Sequence, residues 1–213
     1  MEKENEEKDK LNKFLIGFMN KNNIEVELRY RVKDKEKLRK WLEEHAEKLY
    51  EKKQRDEYFT PVYKNYFDED LPYEYFRIRT TESGDSTTYK HWYAIPGKRE
   101  HSHCDEYETD VSSGEQLRKI LVATGFRTLV VVDKHRQAYS YENFEITIDE
   151  VQEVGTVCEI ELHGGFKDIK EAHEMIKNMA VELGFSESDR DEELKLGYAL
   201  LIAKKKGIWH EKE

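Results

Sequence analysis

Alternating charged and apolar side chains mark residues 25–32 as a stretch that could carry chemistry. Glu25, Glu27, Arg29 and Arg31 occupy every second position, with apolar side chains between them. Successive side chains of an extended strand point to opposite faces, so the four charges share one face. Carboxylates can hold a divalent cation, and guanidinium groups match the oxygens of a phosphate chain. The pattern predicts a β-strand whose charged face binds metal and a polyanion.

The same two-residue spacing recurs in pairs of like charge further along the chain. These pairs are Arg77 and Arg79, Glu106 and Glu108, Lys134 and Arg136, and Glu159 and Glu161. Each lies in a segment rich in aromatic and β-branched residues, which is typical of strands. One such pair is usually a solvated sheet face, but a sheet built only for solubility mixes the two signs. If the strands close into a barrel with these faces inward, the rows suit triphosphate chemistry.

In chain order, these blocks resemble the CYTH superfamily, the triphosphate tunnel enzymes. Residues 24–29 are similar to its E-x-E-x-K signature, and further blocks match at residues 54–59, 77–79, 88–90, 133–139, 144–149 and 155–162. The resemblance covers about residues 23–202 and is closest to the class IV adenylyl cyclase branch, which carries similar K-x-R-x-x-Y and I-T-x-D blocks. One departure is Arg29, where the family usually has Lys. Arginine keeps the positive charge but does not release its proton, so it cannot act as a proton carrier.

The resemblance implies an α+β fold, in which an eight-stranded antiparallel β-barrel forms the triphosphate tunnel and helices pack outside. We expect a charged, partly helical extension over residues 1–22, the tunnel domain over 23–205 and a tail over 206–213. Besides the first strand, extended segments are predicted near 54–66, 73–82, 86–95, 103–111, 127–140, 142–150 and 155–163. Asp34 is a predicted N-cap for a helix through about Leu49. Further helices are predicted over about 113–124, 168–183 and 190–204.

Triphosphate binding requires several cations close together, and the resemblance assigns roles to the charged residues. The basic residues expected to bind substrate are Arg77, Arg79, Lys90, Lys134 and Arg136. The carboxylates expected to hold Mg²⁺ or Mn²⁺ are Glu106, Glu108, Asp149, Glu159 and Glu161. The signature residues Glu25, Glu27 and Arg29 are expected to be catalytic. Oxygen ligands that leave open positions for phosphate and water suit these cations.

Composition restricts the partners. The net charge is -10 and 38% of the 213 residues are charged, so we expect no long-range attraction to nucleic acid or to a membrane. Cys104 and Cys158 form no C-x-x-C motif, and the first residues lack the basic and apolar segments of a signal peptide. We therefore expect a cytoplasmic protein. A homodimer is the oligomeric state that the resemblance implies.

Resemblance to the class IV branch favours conversion of ATP to cyclic AMP and pyrophosphate. One alternative is a triphosphatase that hydrolyses tripolyphosphate, thiamine triphosphate or a nucleoside triphosphate. Another is a non-catalytic module that binds nucleotide or polyphosphate. The chain has no G-x-x-x-x-G-K-[ST] and no G-x-G-x-x-G motif, so a glycine-rich loop is not expected to hold the phosphates. The sequence names no pocket for a base and ribose.

Overall fold

The computed structural model describes residues 24–98, 100–190 and 192–210. The predicted extension over residues 1–22 lies outside them. In this part of the chain one antiparallel sheet contains nine strands: β1 (Ile24–Glu25), β2 (Glu27–Arg31), β3 (Glu47–Pro61), β4 (Glu74–Thr81), β5 (Gly84–Ala94), β6 (His101–Val111), β7 (Phe126–Tyr141), β8 (Phe144–Val151) and β9 (Gly155–Leu162). Four α-helices accompany the sheet: α1 (Lys35–His45), α2 (Gly114–Ala123), α3 (Ile169–Glu182) and α4 (Tyr198–Lys205). None of these described helices is long and apolar enough to cross a membrane.

The sheet almost closes on itself because its two ends are parts of one extended segment. The strand order is β1-β6-β5-β4-β3-β7-β8-β9-β2, and only Val26 separates β1 from β2. Glu25 lies opposite Cys104 of β6, whereas Glu27 lies opposite Glu161 of β9. The predicted antiparallel barrel is confirmed. A ninth strand is counted because the predicted first strand is interrupted at Val26.

The alternation of side chains gives the barrel two different faces. Apolar residues of β2, β8 and β9 point outward and form the main core with α1 and α3. This core includes Leu28, Tyr30, Ile146, Ile148, Ile160, Leu38, Leu42 and Ile176. The alternate positions of the same strands carry charges and therefore point into the barrel. Burying the outer face under two helices thus fixes the register that keeps the charges inside.

Helix α1 begins as predicted and ends earlier. The Asp34 side chain accepts a hydrogen bond from the backbone N–H of Lys37 at 3.0 Å, as an N-cap does. The predicted end near Leu49 was wrong, because the helix stops at His45 and Ala46 is extended. Leu49 lies in β3, where it is exposed. Backbone pairing along almost the whole length of β7 outweighs the apolar periodicity that favoured a longer helix.

Helix α4 covers one end of the barrel interior. Val130 and Val132 occupy the same face of β7 as Lys134 and Arg136, and these two valines are buried in one cluster with α4. The helix is reached through Gly197, whose φ of 77° is a conformation that glycine adopts without strain. The inner face of the barrel is therefore apolar where α4 packs and charged beyond it.

Candidate active site

Inward-pointing side chains surround a central cavity of about 260 Å³. All the sequence-predicted site residues line it except Asp149, which is fully buried against two of them. The structure therefore brings the whole predicted set together, although the role of each residue stays a prediction. Arg31 shares a strand face with Arg29 but lies outside the cavity lining, where its guanidinium donates to the carbonyl of Val154 at 2.7 Å.

Two arginines of β4 share one buried carboxylate. Arg79 donates two hydrogen bonds of 2.7 Å to Asp56, and Arg77 donates one of 3.3 Å. Burial alone would raise the pKa of Asp56, but the two guanidinium groups outweigh it and hold that pKa well below its usual range. Arg77 also lies 3.8 Å from a carboxylate oxygen of Glu106 and 3.6 Å from one of Glu108. This wall presents fixed positive charge to the cavity.

A second basic wall lies on β7. Arg136 donates to both oxygens of Asp149, at 2.7 and 2.5 Å, and to Glu159 at 2.7 Å. Lys134 donates to Asp149 at 3.2 Å. Burial and the neighbouring Arg136 charge lower the pKa of Lys134 to about 7, although Asp149 opposes the shift. One ammonium group at this wall therefore gains or loses its proton near neutral pH.

Lys90 of β5 lies between two carboxylates, Glu25 of β1 and Glu106 of β6. Its ammonium group lies 2.5 Å from Glu25 and 3.4 Å from Glu106. Burial raises the pKa of Glu106 to about 7, so that its protonated form can donate to Glu25. For Glu25 itself, the Lys90 charge and that hydrogen bond outweigh burial and lower the pKa to about 2. The pKa values of these two neighbouring carboxyl groups are thus shifted in opposite directions.

Arg29, the departure from the family signature, joins two strands. Its Nε donates to Glu159 at 2.8 Å, and its Nη2 forms an ion pair with Glu27. Its Cζ lies 5.3 Å from the centre of the Tyr198 ring, a cation–π distance. A lysine would keep the positive charge but not the planar fork that reaches both carboxylates here.

Three carboxylates meet where β1, β2 and β9 come together. One oxygen from each of Glu25, Glu27 and Glu161 lies within 4.8 Å of the others. Glu161 makes no lysine or arginine ion pair among the described residues, and the His163 imidazole lies 3.5 Å from its carboxylate. Burial and the charge of Glu25 raise the pKa of Glu161 to about 9. A divalent cation would remove this repulsion, and an all-oxygen donor set fits Mg²⁺ or Mn²⁺.

The predicted metal ligands therefore divide into two groups. Glu161 lies in the three-carboxylate cluster with Glu25 and Glu27, which were predicted as catalytic. The other four are instead engaged by basic side chains, Asp149 and Glu159 by Arg136, and Glu106 and Glu108 by Arg77. In this geometry the cluster is the part of the cavity best suited to a cation.

Several cavity residues were missed by the sequence reasoning. They are Tyr50, Asp56, Tyr58, Tyr75, Thr88, Glu145 and residues 196–199, and the cavity lining also includes Trp92 and His101. Tyr75 and Trp92 lie two residues from Arg77 and Lys90, so the alternation that found the charges also indicated them. Tyr198 comes from α4, far along the chain, and no sequence pattern placed it at the site.

Comparisons with known proteins agree with this architecture. The model of the CYTH domain matches residues 23–194. A Methanocaldococcus jannaschii protein named as a candidate adenylate cyclase is 30% identical over 159 residues, which are 73% of this chain and 85% of the relative.

Two solved structures share the fold. One, from Vibrio parahaemolyticus and described as a candidate adenylate cyclase, has a TM-score of 0.69 at 17% identity and covers 86% of this chain and 99% of its own. The other, a Hippeastrum protein described as a candidate adenylyl cyclase with a dominant triphosphatase activity, has a TM-score of 0.55 at 17% identity and covers 86% and 95%. At these identities the likeness extends to the fold alone. The family match over most of the described barrel, together with the relative from Methanocaldococcus, means that this chain belongs to the CYTH domain family.

Proposed function

We propose that the protein converts ATP to cyclic AMP and pyrophosphate. The observation that carries the proposal is the cavity itself, whose lining includes two basic walls and a three-carboxylate cluster. Such a site suits a substrate that brings several negative charges together with a cation. The cyclase reaction in particular is supported by the name of the relative from Methanocaldococcus.

The chain's own residues bind and orient the triphosphate. Arg77 and Arg79 on one wall and Arg136 on the other can each present a planar guanidinium fork to phosphate oxygens. Lys90 adds a point charge beside Glu25. The carboxylates that hold these groups in the free protein keep them in place before substrate arrives. Preorganised charge of this kind lowers the free energy of a transition state in which negative charge accumulates on phosphate.

Glu25, Glu27 and Glu161 would hold Mg²⁺ or Mn²⁺, which when bound stabilises negative charge on phosphate oxygens. In the proposed reaction the ribose 3′-oxygen forms a bond to the α-phosphorus. The bond from that phosphorus to the oxygen bridging the α- and β-phosphates breaks, and pyrophosphate leaves with the electron pair. The proton of the 3′-hydroxyl is lost to a cavity carboxylate or to water.

A triphosphatase is the second candidate, in which water attacks the terminal phosphorus. In this scheme the basic walls on β4 and β7 contact only phosphate. The Hippeastrum protein of the same fold is described as having a dominant triphosphatase activity. Thiamine triphosphate, tripolyphosphate and nucleoside triphosphates would all satisfy such walls.

Product analysis tests both candidates. The purified protein is incubated with ATP or with tripolyphosphate, each with Mg²⁺ and with Mn²⁺, and products are separated by ion-exchange chromatography. Cyclic AMP and pyrophosphate support the cyclase, whereas ADP and phosphate support the triphosphatase. Glu161→Gln should abolish either product. The control Glu150→Gln, which changes a surface carboxylate of β8 bound to Lys35, should not. Binding of both ligands without any product would refute the enzyme proposal.

A further inference from the structure

One lysine on the inner face of the sheet has no carboxylate partner. Lys52 of β3 lies opposite Arg136 in the ladder with β7, so the two side chains share the inner face. The cations of the basic walls on β4 and β7 each make an ion pair with a buried carboxylate, either Asp56 or Asp149. Lys52 makes no such pair within residues 24–98, 100–190 and 192–210. Its charge is therefore not neutralised within this part of the chain.

The ammonium group of Lys52 lies over an aromatic ring of the cavity. Its Nζ is 4.2 Å from the centre of the Tyr50 ring, a cation–π distance, and Tyr50 lines the central cavity. The Tyr50 hydroxyl donates to Glu145 at 3.2 Å, which fixes the ring. Burial raises the pKa of Tyr50 to about 12, against the opposing charges of Arg136 and Arg79. Tyr50 is thus within reach of both basic walls, and Lys52 adjoins it.

Tyr50 and Lys52 lie at the end of the cavity farther from α4, which we call the rim. Along β7, residues 130 and 132 pack with α4, whereas Arg136 and Ala138 lie opposite Lys52 and Tyr50. β4 pairs with residues 54–59 of β3, so residues 47–53 continue beside β7 past the end of β4. Lys52 is half-buried there. Its flexible stem of four carbons lets the ammonium group turn from the Tyr50 ring toward an anion in the cavity.

We propose that Lys52 is a further phosphate-binding residue, which contacts a phosphate group at the rim of the cavity. This inference rests on the proposed function, because it adds a contact to the same triphosphate. Phosphate can bind the wall cations only if their ion pairs with Asp56 and Asp149 loosen, whereas Lys52 gives up a contact with an aromatic ring and with water. Because the side chain is half-exposed, salt should screen its contribution.

Lys52→Gln tests the proposal, and the neighbouring Lys53→Gln is its matched control. Lys53 lies opposite His135 on the outer face of the sheet, and it also makes no ion pair with a carboxylate among the described residues. The two variants therefore remove the same charge from opposite faces. In calorimetry with tripolyphosphate and Mg²⁺, we expect Lys52→Gln to weaken binding about 3- to 10-fold and Lys53→Gln to weaken it less than about 2-fold.

Two further measurements sharpen the test. Lys52→Arg keeps the positive charge and should restore most of the affinity. Raising the salt concentration should narrow the difference between Lys52→Gln and the wild type. The melting temperatures of the two glutamine variants should agree, since neither lysine makes an ion pair within the described part of the chain. Equal affinities of the two glutamine variants, or a loss that Lys52→Arg leaves unrestored, would overturn the inference.

The outcome for Lys52 can be separated from that for the proposed reaction. If the wild type forms no product from ATP or tripolyphosphate but Lys52→Gln still weakens tripolyphosphate binding selectively, the enzyme proposal fails and the assignment of Lys52 stands. If product forms and the two glutamine variants bind tripolyphosphate alike, the assignment of Lys52 alone fails.

Discussion

Replacing Asp56 with Asn tests whether the basic wall on β4 is held by that carboxylate. Asp56 is 1% exposed and is the ion-pair partner of Arg79 among the described residues. Arg77 would still have the carboxylates of Glu106 and Glu108 within 3.8 Å, so the loss of its contact with Asp56 is partly offset. Breaking one buried pair costs about 3–5 kcal/mol, and the retained neighbours favour the lower end. For a chain of this size the melting temperature should fall by roughly 6–12 °C.

The assay is thermal unfolding at pH 7 with and without tripolyphosphate. Asp133→Asn is the matched control. Asp133 of β7 pairs with Arg55, which neighbours Asp56 on β3 but points to the exposed side, where an ion pair contributes about 1 kcal/mol or less. Tripolyphosphate should raise the melting temperature of Asp56→Asn more than that of the wild type, because it no longer competes with the carboxylate. A loss of stability no greater than in Asp133→Asn, or an unchanged effect of tripolyphosphate, would refute the assigned geometry.

Three further perturbations bear on the cavity. The pKa of Glu161 is raised from 4.5 to about 9, so between these pH values the folded protein binds a proton that the unfolded chain does not, and the stability of the metal-free protein should fall as pH rises. Glu161→Gln should flatten this pH dependence in denaturant titrations with EDTA and should remove the stabilisation by Mg²⁺. An unchanged pH dependence of stability would contradict the assignment. Arg77→Ala or Arg136→Ala should weaken triphosphate binding by about 30-fold or more, and monophosphate binding far less; calorimetry that finds equal losses would place these groups outside the phosphate site. Arg29→Lys should retain most activity and move the pH–rate profile little, because the position supplies positive charge to Glu27 and Glu159; an inactive wild type that the change activates would favour the binding module.

The set of inward-facing charges was predictable because it follows from a local period of two residues. Arg77 and Arg79 needed no knowledge of the fold to be placed on one strand face, whereas Lys90, which belongs to no like-charge pair, was identified through the family resemblance. The pairing of charges was not predictable, because it depends on register between distant segments. Arg29 and Glu159 are 130 residues apart and meet only through the β2–β9 ladder.

The residues that sequence reasoning missed show the limits of that method. Asp56 has Gln54 and Tyr58 as its neighbours on the strand face, so no like-charge pair drew attention to it. The end of α1 was missed for a different reason. Glu47 and Lys48 are paired with β7, as are the residues from Tyr50 onward, and this tertiary pairing overrides local periodicity there. Long-range packing therefore decides the features that a single segment does not encode.

The ion pairs also indicate the order in which substrate would engage the walls. Arg79 and Arg136 each make bidentate contacts with a buried carboxylate, so releasing them costs the most. Arg77 lies more than 3 Å from each of its acidic partners, whereas Lys90 is held by Glu25 at 2.5 Å. A triphosphate would thus recruit Arg77 first, while the bidentate pairs preserve the shape of the cavity. Substrate binding and stability would consequently depend on different contacts of the same charged network.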